Sequence, residues 1–371
     1  MTHSPPRHRH ALSAWLSSAL LALGLGLALP CAAQQAPLQS KVRVSPQPFG
    51  YAAHPEAMAF ADSLDLSEGW ADGWARRWLA EARHNAQVVR LVTPPPVGSA
   101  KNWAAYRARF VEPRRLQAGR RFWQAHADTL ARAEQTYGVP AWLVVGIIGV
   151  ETLYGEHTGR FRALDALSTL AFDFPSAHPR AAQRSAFFRD ELAALLRLSR
   201  QTGTEPGDWL GSFAGAMGLP QFMPSNWQRF GVDFDGDGRV DLQGSAADAI
   251  GSVARYMQAH GWQPGMPTHF GVRFDTARLD LPTLLAPDIL PTFSAPQMAE
   301  RGVLLEGAGP QHSRPLALVE LENGDPAQGG APRSYVAGTE NFYAITRYNW
   351  SSYYAMAVID LGLSVQALWQ P

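Results

Sequence analysis

Apolar and aromatic positions recur every three or four residues along most of the chain. The pattern runs from about 55 to 90 and resumes from 101 to 137. Such spacing places the apolar residues on one face of a helix, and it predicts amphipathic helices in both blocks. Trp70, Trp74 and Trp78 share that face, and we expect them to pack in the core. Shorter stretches predict further helices at about 163–171, 184–201, 206–216, 225–230, 245–260 and 350–368.

Residues 268–338 follow a different pattern, in which apolar and polar positions alternate. The alternation is clearest at 270–274 and 316–321, and a turn-rich stretch leads from there to 334–336. A period of two predicts half-buried strands, and connections through turn residues favour antiparallel pairing. The chain is therefore predicted to be mainly α, within the α+β class, with a small antiparallel β subdomain at about 268–338.

The first 33 residues have the layout of a secretory signal peptide. Two arginines and no acidic residue precede an apolar run over 11–29, which ends at Pro30. Small residues follow, and this order favours export with cleavage after Ala33 over a retained membrane anchor. Lipid attachment at Cys31 ranks below simple cleavage, because Pro30 stands where a lipidation site requires a small residue.

The composition fits one large folded unit. Residues 34–50 hold three prolines among polar residues and are interpreted as a flexible lead-in to a unit over 51–371. A content of 46% hydrophobic and 17% charged residues is sufficient for a packed core. Because 32 basic residues balance 32 acidic ones, no overall positive field favours nucleic acid, and no such partner is expected. The single cysteine excludes an intrachain disulfide.

One carboxylate stands at the end of the most apolar helical stretch. The run AWLVVGIIGV occupies 141–150, and Glu151 follows it directly. A helix that is apolar on all sides must be buried, so the terminal carboxyl enters a low-dielectric environment that raises its pKa. If the helix ends near Gly155, its dipole acts in the same direction. A neutral acid can protonate a glycosidic oxygen, but from the helix alone a structural Glu paired with an arginine is an equal alternative.

A stretch rich in small residues supplies the second motif. Residues 211–227 read GSFAGAMGLPQFMPSNW, in which glycines allow close approach of a backbone or a ligand. The amide of Gln221 offers a donor and an acceptor to sugar hydroxyls, and Phe222 offers a flat apolar face. Together with ETLYG at 151–155 and NFYAITRYN at 341–349, this stretch resembles the B-type lytic murein transglycosylases, bacterial enzymes that cut peptidoglycan. The resemblance extends from about Trp103 to Gly362 and includes YGVP at 137–140, FFRDEL at 187–192 and AIGSV at 249–253.

The resemblance implies a fold, a compartment and a reaction. It implies a periplasmic, monomeric enzyme with a lysozyme-like core over about 139–262, in which a helical lobe and a small β lobe flank a groove. Its substrate would be the glycan strands of peptidoglycan, cut at the β-1,4 bond between N-acetylmuramic acid and N-acetylglucosamine. Glu151 would protonate the glycosidic oxygen and then accept the proton of the muramic C6 hydroxyl, which attacks C1 to give a 1,6-anhydro sugar. Catalysis would need no cofactor, and cell-wall synthesis or remodelling proteins are the implied protein partners.

The resemblance also assigns the sugar contacts. Each position carries the residue type that contacts the saccharide in the family, except that Gln183 replaces the first of two adjacent arginines. For any one aromatic residue, core packing is an equal alternative. The assigned contacts are Tyr106, Arg184, Ser212, Gln221, Phe222, Tyr256, Tyr348 and Tyr354.

The stretch DFDGDGRVD at 233–241 has the spacing of an EF-hand calcium loop. The first three ligand positions carry Asp, and alternate carboxylates repel one another unless a cation lies between them. Position 12 is Gly244 instead of Glu, so the resemblance assigns the last ligand to an Asp further on, and Na⁺ can compete with Ca²⁺. We expect a structural Ca²⁺ site, with a solvated acidic turn as the alternative. The expected ligands are Asp233, Asp235, Asp237, the carbonyl of Arg239, Asp241 and Asp248.

Two other functions stay open at this point. One is a muramidase-like hydrolase that uses water, and the other is a non-catalytic glycan-binding protein. A hydrolase requires a second carboxylate, at about 5 Å from the first for retention or about 6.5–9.5 Å for inversion. Asp173 is the first candidate for that role, with Glu156 and Asp165 as further acids near the motif.

Overall fold

The computed structural model describes residues 49–93, 101–324 and 329–369. The predicted signal peptide, Cys31 and most of the lead-in lie outside these residues. Helices α1–α15 span Pro55–Glu68, Trp74–Glu81, Ala86–Val92, Trp103–Arg107, Pro113–Ala125, Ala127–Tyr137, Ala141–Thr152, Ala163–Phe172, Ala181–Thr202, Pro224–Phe230, Ala246–Ala259, Leu281–Leu285, Ala295–Glu300, Glu340–Thr346 and Ser352–Leu368. Strands β1–β6 span Phe161–Arg162, Leu210–Gly211, His269–Phe274, Val303–Leu305, Ala317–Asn323 and Ala331–Gly338. None of the helices in the described part combines the length and the apolar content needed to cross a bilayer.

The block predicted as helical from 55 to 90 is divided into three helices. Gly69 and Gly73 adopt left-handed conformations, with φ of 68° and 61°, and they separate α1 from α2. The carboxylate of Asp65 on α1 accepts the N–H groups of Ala75 and Arg76 and so binds the free donors of the first turn of α2. The helical period is therefore confirmed, and glycines set the first of the two breaks.

The predicted helix over 206–216 is wrong. Strand β2 pairs antiparallel with β1 there, and Met217 then bridges to Phe222 in a compact turn. A Cβ on Gly211 would lie 2.3 Å from the carbonyl oxygen of Ala216, and Gly215 has a φ of 83°. Close backbone approach and left-handed geometry favour a turn over a helix, and both require glycine.

The segment 268–338 forms a four-stranded antiparallel sheet in the order β4-β3-β6-β5. Strands were predicted at 270–274, 316–321 and 334–336, and the structure confirms them within β3, β5 and β6. The short strand β4 and helices α12 and α13 were not predicted. One face of the sheet packs with these helices around a separate apolar cluster of Phe270, Leu284, Met298, Val303, Leu316, Leu318 and Ala337.

Helix α7 lies at the centre of the larger core and packs against α5, α6, α11 and α15. Its contact with α15 is made directly between backbones. A Cβ on Gly146 would lie 2.4 Å from the carbonyl oxygen of Val358, and one on Gly362 would lie 2.2 Å from that of Trp142. Since only glycine permits this approach, two glycines set the distance between α7 and α15.

Candidate active site

Helix α7 ends one residue after Glu151, so Glu151 occupies the last turn as expected. The predicted end at Gly155 was three residues too late, because Leu153 and Tyr154 both adopt left-handed conformations, with φ of 51° and 57°. Such geometry is unfavourable for residues with a side chain and needs support from its surroundings. The hydroxyl of Thr152 supplies part of it, since it donates to the carbonyl of Leu219 at 2.9 Å and accepts the N–H of Gly155 at 3.1 Å.

Helix α5 holds this turn from the other side. The ring of Tyr154 packs on Phe122, with centroids 5.2 Å apart, and its hydroxyl lies against two glycines. A Cβ on either Gly119 or Gly149 would lie 2.4 Å from that hydroxyl oxygen, so glycine at both positions makes room for the ring. Arg115 of α5 donates to the carbonyl of Gly149. The turn after Glu151 is therefore fixed by packing from a neighbouring helix.

Glu151 is a partly buried acid with one strong hydrogen bond. The hydroxyl of Tyr354, which is 1% exposed, donates to its Oε1 at 2.6 Å. Burial raises the pKa of Glu151 to about 7, and the bond from Tyr354 opposes that rise because it stabilises the charged form. Near neutral pH this carboxyl group can therefore both give up and accept a proton.

An aromatic wall surrounds Glu151, formed by Phe222, Tyr256, Tyr348 and Tyr354. The ring of Tyr348 lies 6.3 Å from that of Tyr354 at an interplanar angle of 13°, and 4.9 Å from that of Tyr256. Phe222, 1% exposed, lies 5.5 Å from Tyr256 and 5.8 Å from Tyr348. The Tyr348 hydroxyl donates to the carbonyl of Pro220, and that of Tyr256 donates to the carbonyl of Arg347 at 2.7 Å. All three tyrosine hydroxyls of the wall are thus bonded within the protein.

Tyr106 differs from the tyrosines of the aromatic wall. Its ring packs between Trp103, Phe110 and Tyr353, at centroid distances of 6.2, 5.2 and 5.7 Å. Its hydroxyl finds no hydrogen-bond partner among the described residues. Burial raises its pKa most, and the charge of Glu151 raises it further, which places Tyr106 near the acid. This hydroxyl is therefore a buried polar group without a protein partner in that part of the chain.

Gln221 is held in a strained conformation beside the end of α7. Its φ is 50°, and its Nε2 donates to the carbonyls of Thr158 and Gly218, both at 3.0 Å. The amide donors expected to reach sugar hydroxyls are therefore engaged, and the amide can offer its Oε1 as an acceptor. Ser212 accepts the N–H of Ala216 at 3.1 Å, and its hydroxyl proton remains available to a ligand.

Arg184 lies in the first turn of α9, close to Arg180 and His178, which precede that helix. Its Nε is buried without a hydrogen-bond partner among the residues described. Burial lowers its pKa, and the positive charge of Arg180 lowers it further.

The other acids near the motif are engaged elsewhere. Glu156 pairs with Arg114 at 2.5 Å, and Asp165 pairs with its neighbour Arg162. Asp173 accepts the hydroxyl of the fully buried Tyr51 at 2.5 Å. Burial and Tyr354 account for the pKa of Glu151, and no carboxylate of the described chain contributes to it.

The structure brings three of the expected cation ligands together. Carboxylate oxygens of Asp233, Asp235 and Asp248 lie within 4.8 Å of one another, a donor set that suits a hard cation such as Ca²⁺. Asp237 instead pairs with Arg239 at 3.1 Å, and Asp241 accepts two N–H groups of its own turn at 2.9 Å.

Asp248 ties the acidic loop to helix α11. It is 1% exposed and accepts the N–H groups of Phe234 and Asp241, both at 2.7 Å. The ring of Phe234 packs on α11, where a Cβ on Gly251 would lie 2.5 Å from it. Both ends of the loop are therefore anchored on one buried carboxylate.

Sequence reasoning did not identify Thr152 or Arg115, which hold the turn after Glu151. Thr152 lies within the quoted ETLYG motif, but its partner Leu219 is 67 residues away. Arg115 bonds to Gly149 from a different helix. No local pattern in the sequence indicates either contact.

Sequence similarity points to one family. Residues 52–363 match the family described as the transglycosylase SLT domain. The chain is 38% identical over 336 residues to membrane-bound lytic murein transglycosylase B of Escherichia coli (strain K12). That alignment covers 85% of this chain and 84% of the relative.

Fold similarity points the same way. The Escherichia coli lytic transglycosylase Slt35, solved in complex with calcium, matches with a TM-score of 0.72 and 37% identity, covering 88% of this chain and 99% of that one. SltB3 from Pseudomonas aeruginosa, solved in complex with NAG-anhNAM-pentapeptide, matches with a TM-score of 0.67 and 30% identity, covering 84% of this chain and 79% of that one. These matches and the mainly helical architecture confirm the predicted fold class.

Proposed function

The chain belongs to the transglycosylase SLT domain family and is a peptidoglycan lytic transglycosylase, and on this premise we propose that Glu151 is its catalytic acid and base. One observation carries the proposal. Glu151 is a single carboxyl group in an apolar setting, with a pKa raised to about 7 and a hydrogen bond from Tyr354 at 2.6 Å. A group of this kind can donate a proton in one step and recover it in the next.

The reaction proceeds in two steps at Glu151. The neutral acid first protonates the oxygen between N-acetylmuramic acid and N-acetylglucosamine, and the bond from C1 to that oxygen breaks. The resulting carboxylate then accepts the proton of the muramic C6 hydroxyl, whose oxygen attacks C1 and closes the 1,6-anhydro ring. Because nucleophile and electrophile belong to one bound sugar, the attack gains a large effective concentration.

The arrangement of carboxylates favours this route over hydrolysis. A retaining or inverting hydrolase needs a second carboxylate at a defined distance. Asp173, Glu156 and Asp165 each have another partner, and none contributes to the pKa of Glu151. An internal nucleophile removes the need for a second acid.

The sugar contacts fall into two groups. Ser212 and Gln221 keep a polar atom that a saccharide can bind, and Tyr106 and Arg184 each keep a buried polar atom without a protein partner among the described residues. We assign hydrogen bonds to the substrate to these four residues. We assign a shaping role to the aromatic wall of Phe222, Tyr256, Tyr348 and Tyr354. The hydroxyls of its three tyrosines are bonded within the protein, and Phe222, Tyr256 and Tyr354 are buried.

The acidic loop is proposed to bind a structural Ca²⁺ ion. Asp233, Asp235 and Asp248 supply the carboxylates, and calcium in the solved Slt35 complex supports this choice of ion. The exposed carboxylates of Asp237 and Asp241 and the Arg239 carbonyl would complete the shell after a local rearrangement. The ion would fix the loop on α11 and would take no part in proton transfer.

Location and partners complete the proposal. We assign the enzyme to the periplasm, reached through a cleaved signal peptide over 1–33, with a lipid anchor at Cys31 as the lower-ranked alternative. It acts as a monomer on glycan strands, beside other proteins of cell-wall remodelling. N-terminal sequencing of the mature protein from a periplasmic extract tests cleavage after Ala33.

Product chemistry tests the reaction. The mature protein is incubated with purified peptidoglycan sacculi, and the soluble products are weighed by mass spectrometry. Anhydromuropeptides are expected, in line with the NAG-anhNAM-pentapeptide bound to SltB3. Products one water heavier would establish a hydrolase, and the absence of products with Ca²⁺ present would leave a glycan-binding protein.

A further inference from the structure

The hydrogen bond from Tyr354 distinguishes the two carboxyl oxygens of Glu151. The hydroxyl donates to Oε1 at 2.6 Å and so occupies a lone pair of that atom. In the neutral acid the carboxyl proton is then favoured on Oε2. We propose that Tyr354 is a positioning residue that makes Oε2 the oxygen which gives up the proton and takes it back. This inference rests on the proposed role of Glu151.

Tyr354 is held in place through its backbone and its ring. It lies in the first turn of α15, where the side chain of the capping residue Ser351 accepts its N–H at 3.3 Å. Its ring is 1% exposed and stacks on Tyr348 at an interplanar angle of 13°. A side chain fixed in this way loses little conformational freedom when it makes its hydrogen bond.

The contact between α7 and α15 fixes the position of Tyr354 relative to Glu151. Gly146 lies five residues before Glu151, and Val358 lies one turn after Tyr354. These two positions meet at backbone distance, since a Cβ on Gly146 would lie 2.4 Å from the Val358 carbonyl oxygen. The helices that carry donor and acceptor therefore cannot slide apart without losing a direct backbone contact.

The two steps of the reaction use the same oxygen under this arrangement. The proton moves from Oε2 to the glycosidic oxygen, and the electron pair of the broken bond to C1 stays on that oxygen. The C6 oxygen then bonds to C1, and its proton returns to Oε2. Throughout, the Tyr354 hydroxyl donates to Oε1, and its bond is strongest when Glu151 is charged.

The pKa of Glu151 can be measured from a pH profile because the groups around it keep their charge state near pH 7. Burial raises the pKa of each neighbouring tyrosine, so these hydroxyls stay neutral through the neutral range. The nearby arginines stay charged there. The groups concerned are Tyr106, Tyr256, Tyr348 and Tyr354, with Arg109 beside Tyr106 and Arg229 and Arg347 beside Tyr256. His260 stacks on Tyr256 at 3.9 Å, and burial lowers its pKa, so its ring is neutral at pH 7.

The test compares the unmutated protein with Tyr354→Phe and with Tyr353→Phe as a matched control. Tyr353 is the adjacent residue of α15, and its hydroxyl bonds to the backbone of Glu322 instead of Glu151. Loss of the Tyr354 hydroxyl removes a bond to the charged form, so the pKa of Glu151 and the alkaline limb of kcat/KM move up by about one pH unit. The value of kcat falls about tenfold with KM nearly unchanged, because the carboxylate formed in the reaction is less stabilised. Tyr353→Phe leaves the limb in place.

A limb that stays fixed in Tyr354→Phe, or that moves equally in Tyr353→Phe, would overturn the proposal. Carbon NMR of labelled glutamate carboxyls follows Glu151 without turnover, so it separates failure of this inference from failure of the proposed function. Should Tyr354→Phe not fold, 3-fluorotyrosine at 354 keeps the hydroxyl and the shape. Its phenol is a stronger donor, so the limb must then move downward, and an upward or absent shift would reject the positioning role.

Discussion

Glu151 and the acidic loop use the same functional group in opposite ways. Glu151 is one carboxyl group in an aromatic wall, and burial raises its pKa to about 7. The loop gathers Asp233 and Asp235 around the buried Asp248, and a hydrogen bond from Ser245 lowers the pKa of Asp235, whereas burial raises that of Asp248. One environment favours a carboxyl that exchanges a proton, and the other favours carboxylates that keep their charge for a cation. The surroundings of the group, more than its chemistry, decide its role.

Removing the carboxyl of Glu151 tests the proton-transfer half of this comparison most directly. Glu151→Gln keeps the shape but can neither donate nor accept the proton, so the release of anhydromuropeptides should fall by about a thousandfold or more. Mass spectrometry of sacculus digests measures the loss. Glu156→Gln is the matched control. Glu156 lies five residues after Glu151, is exposed and pairs with Arg114, so this variant should retain activity. Equal losses of activity in both variants would contradict the catalytic role of Glu151.

Asp248→Asn tests the buried carboxylate of the loop. Asp248 accepts N–H groups of Phe234, Asp235 and Asp241, and the amide cannot accept at both ends. We expect the free energy of unfolding to fall by about 3–4 kcal/mol, because hydrogen bonds to a charged acceptor are lost in a buried site. Urea titration at pH 7 measures the change. Asp241→Asn, at an exposed position, is the control, and a similar fall there would contradict the anchoring role of Asp248.

Glu151→Gln should also stabilise the fold at alkaline pH. The pKa of Glu151 rises from 4.5 to about 7 on folding, so between these values the folded state keeps a proton that the unfolded chain has released. The free energy of unfolding of the unmutated protein therefore falls as pH rises through this window, and Gln escapes that fall. We expect the variant to be more stable by about 2–3 kcal/mol above pH 7 and no different near pH 4. Urea titrations at pH 4 and pH 8 check this, and a difference independent of pH would refute it.

Calcium binding to the loop should give the smallest of the four effects predicted here. Adding millimolar Ca²⁺ after chelation should raise the melting temperature by a few degrees, or about 1–3 kcal/mol, through preferential binding to the folded state. The gain should disappear in Asp233→Asn and persist in Asp237→Asn at reduced size. Mg²⁺ and Na⁺ serve as ion controls. A gain that survives Asp233→Asn would place the ion elsewhere.

The sequence was sufficient for features that depend on local pattern. Helix α7 and the position of Glu151 follow from one apolar run, and three of the four strands of the β subdomain, β3, β5 and β6, follow from the sequence pattern. Burial of the run also explains the direction of the pKa shift.

Features that depend on distant contacts could not be derived in this way. Tyr354 and Glu151 are 203 residues apart, and their bond depends on two glycines whose role is visible only when the helices meet. The wrong helix at 206–216 has a related cause, because Gly211 and Gly215 act through close approach and left-handed backbone. Hydrophobic periodicity identifies these glycines only as small residues and does not indicate their backbone contacts.

The glycine contact between α7 and α15 separates substitutions that change stability from substitutions that change the distance between the two helices. Gly146 and Gly362 bring main chains together with no side chain between them. Substitutions among the surrounding leucines and valines can alter the stability of the interior, yet they cannot widen this spacing. The interior can therefore diverge in sequence between descendants while the acid and its tyrosine partner keep their separation.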